Sequence, residues 1–403
     1  MKIGFLLWDG DIGGAEVFTS ELASATRALG ADPCVLFVRQ AGPLAERLDH
    51  VDIRWQALSL RRSRRVLRHP AKFAARCSEA APDGMFLPAA GHLAIALRLG
   101  GYRAPVVAVE HGALLLLESL PAAERMVRGL ERRVAVRLLD AEVGVSDYMV
   151  SEIRRKPHRR LVRIYNGVDP DRFVRPTDDV APQPVDASAC VIGCAGRLVA
   201  GKGIDFLLRA FAQIAGPFPG TRLRIAGDGP AADDLKRLAH SLGLSEAVAF
   251  LGPIDDVPAF WRDCHLAVVP SAGALESFGM AALEAMAASR PVVATRNGGI
   301  PEVVEDGVTG ILVDQGNVQA LAGALSRYLE APDLMTAHGS AGRVRCQSRF
   351  HMRDCAEAYL RLLAALRRKS RPQPRIEPLA RATPRLRSPL SPSAPPGTSP
   401  ELR

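Results

Sequence analysis

The 403-residue sequence has no long apolar run, no closely paired cysteines and few aromatic side chains, and each shortage narrows what it can be. Its first apolar stretch, 3–8, is six residues long and runs into acids and glycines. That is too short for a signal-peptide core and far short of the roughly 20 apolar residues that span a membrane, so neither secretion nor a transmembrane helix is expected. The seven cysteines (Cys34, Cys77, Cys190, Cys194, Cys264, Cys346, Cys355) include no C-x-x-C pair. Neither a zinc site nor a disulfide framework is indicated, and a reducing cytoplasm is the expected compartment. Aromatics make up 5% of the chain and none interleaves with its arginine clusters, which argues against nucleic acid as a partner. The first strand candidate is not followed by G-x-G-x-x-G with an acid about 20 residues later, so the dinucleotide-dehydrogenase pattern is missing.

What is present is an ordinary globular composition, 48% hydrophobic and 24% charged, long enough for two or three domains. The net charge of +9 is uneven: +6 over 1–170, −3 over 171–367 and +6 over 368–403. Basic clusters such as Arg61, Arg62, Arg64, Arg65, Arg68 and Lys72, or Arg154, Arg155, Lys156, Arg159 and Arg160, suit an anionic membrane surface or an acidic acceptor. A solvated face explains them equally well.

Short apolar runs alternate with helix-length segments, the pattern of a parallel α/β sheet. Strand candidates in the first half are 2–7, 34–38, 84–88, 106–110, 141–145 and 162–165; in the second they are 189–195, 222–226, 248–251, 266–270, 291–294 and 310–313. Two such series imply two doubly wound, Rossmann-like domains, 1–170 and 189–350. The proline-rich, aperiodic stretch 171–188 is expected to link them. A helix is expected over 351–368, and a disordered Pro/Ser/Arg-rich tail over 369–403.

The most informative stretch is 270–313, P-S-A-G-A-L-E-S-F-G-M-A-A-L-E-A-M-A through G-G-I-P-E-V-V-E-D-G-V-T-G-I-L-V. Ser277 fits an N-cap, which would turn the amides of Phe278, Gly279 and Met280 outward as an anion site. Glu276 and Glu284 would bracket a diphosphate, each accepting hydrogen bonds from sugar hydroxyls. A loop acid and a salt-bridged helix residue are the plainer alternatives. Upstream, G-R-L-V-A-G-K-G places Arg197 and Lys202 after the first strand of the second domain, where doubly wound folds bind ligands. Two cations there suit a diphosphate and the charge that builds on it in a transition state. In the first domain Gly13 and Gly14 of G-G-A-E open a helix after the first strand, and His111 of V-E-H-G ends a strand. A structural role for that histidine remains open. Asp9 and Asp11 match a D-x-D pattern, but no further hard ligands cluster with them, so a metal site is not expected there. Asp228 of A-G-D-G-P and the L-G-P-I segment at 251–254 end strands and either line a nucleotide pocket or simply form turns.

Taken together, G-G-A-E at 13, V-G-V-S at 143, Y-N-G-V-D-P-D-R-F at 165, G-R-L-V-A-G-K-G at 196 and the 270–313 block resemble glycosyltransferase family 4 over nearly the whole chain. Glu276 and Glu284 match that family's two glutamates with seven residues between them. The resemblance implies the GT-B fold, two Rossmann-like domains facing across a cleft, and a retaining transfer from a nucleotide-diphosphate sugar to a hydroxyl of a glycan or lipid-linked acceptor. The nucleotide sugar would be a co-substrate, with no further cofactor and no metal. It implies that Arg197 and Lys202 hold the diphosphate and that Glu284 binds the ribose. Glu276 would contact the sugar, the amides of Phe278, Gly279 and Met280 would lie near sugar and phosphate, Gly14 would approach the phosphate, and His111 would lie near the anomeric carbon. The expected location is cytoplasmic, at most peripheral on the inner membrane face. A nucleotide-sugar epimerase or hydrolase, and a non-catalytic nucleotide-sugar-binding protein, are the alternatives. Ser289 departs from the family, which usually has glycine there, and the P-S-A-G-A-L run before Glu276 is longer than usual.

Overall fold

The computed structural model describes residues 1–11, 13–60, 66–112, 120–174, 190–273 and 276–370. Seven parallel strands form the first sheet: β1 (Lys2–Leu7), β2 (Asp32–Phe37), β3 (Arg54–Ala57), β4 (Gly84–Leu87), β5 (Val106–Glu110), β6 (Ala141–Gly144) and β7 (Leu161–Arg163), in the order β3-β2-β1-β4-β5-β6-β7. Six form the second: β8 (Val191–Ala195), β9 (Arg222–Ala226), β10 (Val248–Gly252), β11 (Leu266–Val269), β12 (Val292–Thr295) and β13 (Gly310–Val313), in the order β10-β9-β8-β11-β12-β13. Central strands such as β5 (V-V-A-V-E) and β11 (L-A-V-V) are buried along their whole length, as expected where helices cover both faces of a parallel sheet. In each sheet the strand order reverses beside its first strand. That reversal opens a crevice at the carboxyl ends of β1 and β8, where G-G-A-E and G-R-L-V-A-G-K-G stand.

All twelve expected strands are present, displaced by no more than two residues at their ends. The strand not foreseen is β3, R-W-Q-A, a half-exposed edge strand with alternating burial. Its one partner, β2, supplies the hydrogen bonds, so no apolar run is needed to hold it.

The chain passes between the domains twice, and the two passages touch: the Val168 amide donates to the Phe350 carbonyl at 2.8 Å and the Met352 amide to the Val168 carbonyl at 2.8 Å. Buried Arg343 fastens this crossing to the second domain, donating to the carbonyls of Pro170 at 2.8 Å and Ala287 at 2.6 Å. Beyond it the helix Met352–Ser370 returns to the first domain. Tyr359 packs edge-on against Phe86 of β4, with ring centroids 5.3 Å apart, and Arg367 pairs with Asp83 at 2.7 Å. Of the expected linker, 171–174 form the end of a short 3-10 turn, Pro170–Phe173, and the residue after it. Residues 175–189, the tail from 371 onward, and Arg61, Arg62, Arg64 and Arg65 of the first basic cluster lie outside the described residues.

Candidate functional site

A cleft of about 850 Å³ opens between the two sheets, lined by Gly14, Glu16, Phe18 and His111 on one side and by Arg197, Lys202, Asp228, Glu276, Met280 and Glu284 on the other. Gly14 is the first residue of the helix Gly14–Ala28, and a Cβ there would meet open space. His111 follows β5 directly and packs edge-on against Phe18, with centroids 5.3 Å apart. Burial away from water lowers its pKa to about 4, so the imidazole is neutral at ordinary pH. Glu16, on the same wall, has its pKa raised by burial; its own backbone amide and Arg197 oppose the shift, and Asp9 and Asp11 add to it. Asp9 pairs with Arg39.

On the opposite wall Lys202 pairs with Glu276, whose carboxylate also accepts from the Ser271 hydroxyl at 3.2 Å. Glu284 projects from the helix Met280–Ala287 and accepts from the indole Nε1 of buried Trp261 at 3.3 Å. Burial raises its pKa to about 7, with the charge of Glu21 adding and Trp261, Arg172 and Arg47 opposing. The cleft thus sets two cations, two carboxylates and a run of backbone amides against a neutral histidine of the other domain.

Ser277 is not the N-cap of this helix. The helix starts at Met280 and its N-cap is Gly279, at φ +105°, a conformation that a side chain would oppose. The Ser277 hydroxyl instead donates across the cleft to the His111 carbonyl at 3.0 Å. The span from Glu276 to Glu284 is therefore half loop and half helix. Phe278, at 1% exposure, is turned away from the cleft into a cluster with Tyr165 and Phe350, at centroid distances of 5.8 and 5.7 Å, so its ring is packing. Trp8, Glu16 and Asp255, absent from the expected site, also line the cleft. Glu16 stood within a quoted motif, but Trp8 and Asp255 have no local signal and reach the cleft only because β1 and β10 end beside it.

Against known proteins, residues 12–172 match the model of "Glycosyltransferase Family 4" and residues 178–345 that of "Glycosyl transferases group 1". The GDP-mannose-dependent alpha-(1-6)-phosphatidylinositol monomannoside mannosyltransferase of Mycolicibacterium smegmatis is 35% identical over 62% of this chain and 66% of its own length. Its counterpart from Mycobacterium tuberculosis, strain H37Rv, is 33% identical over 66% and 68%. Among solved structures, Anabaena HepE in complex with UDP-glucose superposes with a TM-score of 0.76 at 25% identity, covering 91% of this chain and all of that one. The chain belongs to glycosyltransferase family 4, and its fold is GT-B. It is a nucleotide-sugar-dependent glycosyltransferase.

Proposed function

We propose that the protein transfers a hexose, with retention of anomeric configuration and without a metal ion or further cofactor, from a guanosine-diphosphate sugar to a hydroxyl of a lipid-linked glycan or polyol in cell-surface glycoconjugate synthesis. The observation that carries the transfer is the cleft itself, where Arg197, Lys202, Glu276 and Glu284 face Gly14 and His111. Arg197 and Lys202 take the diphosphate and the charge that grows on it as the glycosidic bond breaks. Glu284 accepts hydrogen bonds from the ribose hydroxyls. Glu276, steadied by Ser271, contacts the sugar, and the amides of Phe278, Gly279 and Met280 lie beside sugar and phosphate. His111 is too depressed in pKa to serve as a cationic acid, so it meets the anomeric centre as a neutral dipole. Acceptor attack and diphosphate departure share one face of the sugar, with the departing phosphate as the base.

The choice of guanine rests on Asp255, an exposed carboxylate on the cleft wall beside Pro253 and Ile254 at the end of β10. A carboxylate accepts two hydrogen bonds from the N1–H and N2–H₂ edge of guanine, whereas the corresponding edge of uracil flanks one N–H with two carbonyls that a carboxylate repels. The GDP-mannose dependence of the mycobacterial relatives agrees.

The test is thermal stabilisation by GDP, UDP, ADP and their sugars, since a ligand at 100 times its dissociation constant stabilises by about 2.7 kcal/mol. GDP should give the largest shift, and Asp255→Asn should shrink it toward that of UDP. Preference for UDP, unchanged in that variant, would discard the base assignment. NMR of the anomeric proton of the product decides retention, and hydrolysis of the donor at full rate without acceptor would favour the hydrolase reading.

The acceptor side is supported by the helix Ala122–Leu138, which exposes Met126 (72%), Val127, Leu130 (63%) and Val134. Exposed Arg125, Arg133 and Arg137 stand among them. An apolar stripe set among arginines suits peripheral attachment to anionic lipid. Among the described residues no helix is long and apolar enough to cross a membrane.

A further inference from the structure

Two sequence segments, V-G-V-S-D-Y at 143–148 and G-G-I-P-E at 298–302, take no part in lining the cleft, yet they meet across it. Ser146 caps the helix Asp147–Arg154, its hydroxyl accepting from the Met149 amide at 2.9 Å and donating to the Ser277 carbonyl at 2.6 Å. Beside it, Glu302 of the second domain accepts the Asp147 amide on Oε2 and the Tyr148 amide on Oε1, both at 2.7 Å. These are the first two amides of that helix, which no intrahelical carbonyl can satisfy. A side chain of one domain therefore completes a helix of the other. The carboxylate also sits at the positive end of the helix dipole, where both hydrogen bonds are charge-assisted.

Glu302 is held firmly on its own side. Arg345 donates to the Glu302 carbonyl at 3.1 Å and the Val303 carbonyl at 2.9 Å. The same turn supports the site: the Gly299 amide donates to the Glu276 carbonyl at 3.0 Å. Gly298 has φ +55°, and a Cβ on it would lie 1.8 Å from that carbonyl. The chain of contacts thus runs from the amides of Asp147 and Tyr148 through Glu302 and Gly299 to Glu276 and Ser277, and from the Ser277 hydroxyl to the His111 carbonyl.

We infer that Glu302 is a positioning residue, an interdomain latch whose grip on the helix Asp147–Arg154 holds His111 of one domain in register with Glu276 and Ser277 of the other. It touches neither donor nor acceptor. Its part in turnover rests on the cleft being the transfer site, but the closure it enforces is measurable without turnover.

The test uses the full chain carrying Glu302→Gln or Asp147→Pro. Glutamine removes the charge and leaves a single acceptor oxygen. Proline deletes the Asp147 donor at the first helical position, which tolerates it, and Ser146 before it is already extended, at φ −155° and ψ 166°, the region favoured before proline. It also removes the Asp147 carboxylate, which accepts from the Tyr165 hydroxyl at 3.1 Å and pairs with Arg163 at 3.3 Å, so Asp147→Ala, which keeps the amide, is the control for that loss. The expected results are a larger radius of gyration in X-ray scattering for both variants and GDP affinity within about threefold of wild type, because the phosphate and ribose groups belong to the second domain. With them, kcat falls about tenfold or more, as misregistered reacting groups produce. Once the loss seen in Asp147→Ala is allowed for, the double variant should be no worse than the worse single one, because both then break the same interdomain contact. Unchanged scattering, or scattering that opens while kcat holds, overturns the latch. Wild-type protein that ignores GDP would sink the donor assignment while scattering still decides the latch.

Discussion

Glu284 and His111 show how the same physical cause, removal from water, gives opposite results in an acid and a base. Burial holds His111 neutral, since its pKa falls to about 4, and it raises Glu284 to about 7. The folded value of Glu284 lies above the ordinary carboxylate value of 4.5, so folding takes up a proton there. Its contribution to stability is whole below pH 4.5 and is lost as the pH rises through about 7, a loss of at most about 3 kcal/mol. Glu284→Gln should therefore raise the melting temperature of the unliganded protein at pH 8 and change it little at pH 4.5. The same variant should abolish a rise in donor affinity with an apparent pKa near 7, because the ionised carboxylate is the better acceptor for ribose hydroxyls. Melting curves and nucleotide titrations across pH check both statements, and an unchanged pH dependence would remove Glu284 from the ribose. Ser289 shows a residue at odds with its backbone. It occupies φ +58°, the left-handed conformation that glycine adopts without strain, which gives the family's usual glycine a physical reason.

At the scale of elements, the helix Met352–Ser370 closes the molecule. Its sequence follows the second domain, but its apolar face lies against the first, with Leu363 fully buried on β4 at Gly84. A Cβ at Gly84 would fall 2.3 Å from a Leu363 methyl, so the strand has no side chain where the helix crosses it. Leu363→Ala should destabilise the first domain by about 2–5 kcal/mol, the usual range for emptying a buried leucine site, and should leave GDP binding intact in the protein that remains folded. A chemical denaturation curve followed at Trp8 and Trp55 of the first domain measures it. A change under 1 kcal/mol would mean that the helix is only loosely attached. The helix Ala122–Leu138 is built differently on its two faces. Buried Arg132 lies between Glu110 at 3.0 Å and Glu142 at 2.7 Å, anchoring the inner face to β5 and β6 and leaving the outer stripe of Met126 and Leu130 unpartnered among the described residues.

For the whole molecule, charge and exposed apolar surface point the same way. The chain carries +9 overall, with an excess of +6 in residues 1–170, and the exposed stripe belongs to that same half. Vesicles containing anionic lipid should therefore bind the protein, and neutral ones should bind it less. Binding should weaken between about 0.05 and 0.5 M salt as screening shortens the reach of surface charge. Met126→Gln with Leu130→Gln should reduce binding at every salt concentration, since it removes apolar contact rather than charge. Flotation with phosphatidylglycerol and phosphatidylcholine vesicles measures this, and equal binding of wild type and the double variant would free the helix from that role.

The sequence by itself determined nearly all the elements and which of its motifs end beside the cleft. Twelve of the thirteen strands were legible, most of them as short apolar runs bounded by turn residues, whereas β3, R-W-Q-A, alternates polar and apolar residues over four positions. Arg197, Lys202, Gly14 and His111 were legible as cleft residues because their motifs follow strand ends, which topology sends to the crevice, and Glu284 because it stands on the helix that follows β11. What tertiary structure decided are contacts between segments more than a hundred residues apart. Such contacts are the Ser277 hydroxyl spent on His111 rather than on its own helix, the Phe278 ring packed against Tyr165, and Glu302 capping a helix of the other domain. Local chemistry allows a serine to cap the helix that follows it or a glutamate to sit in solvent. Only the packing of the two domains supplies the competing partner that wins.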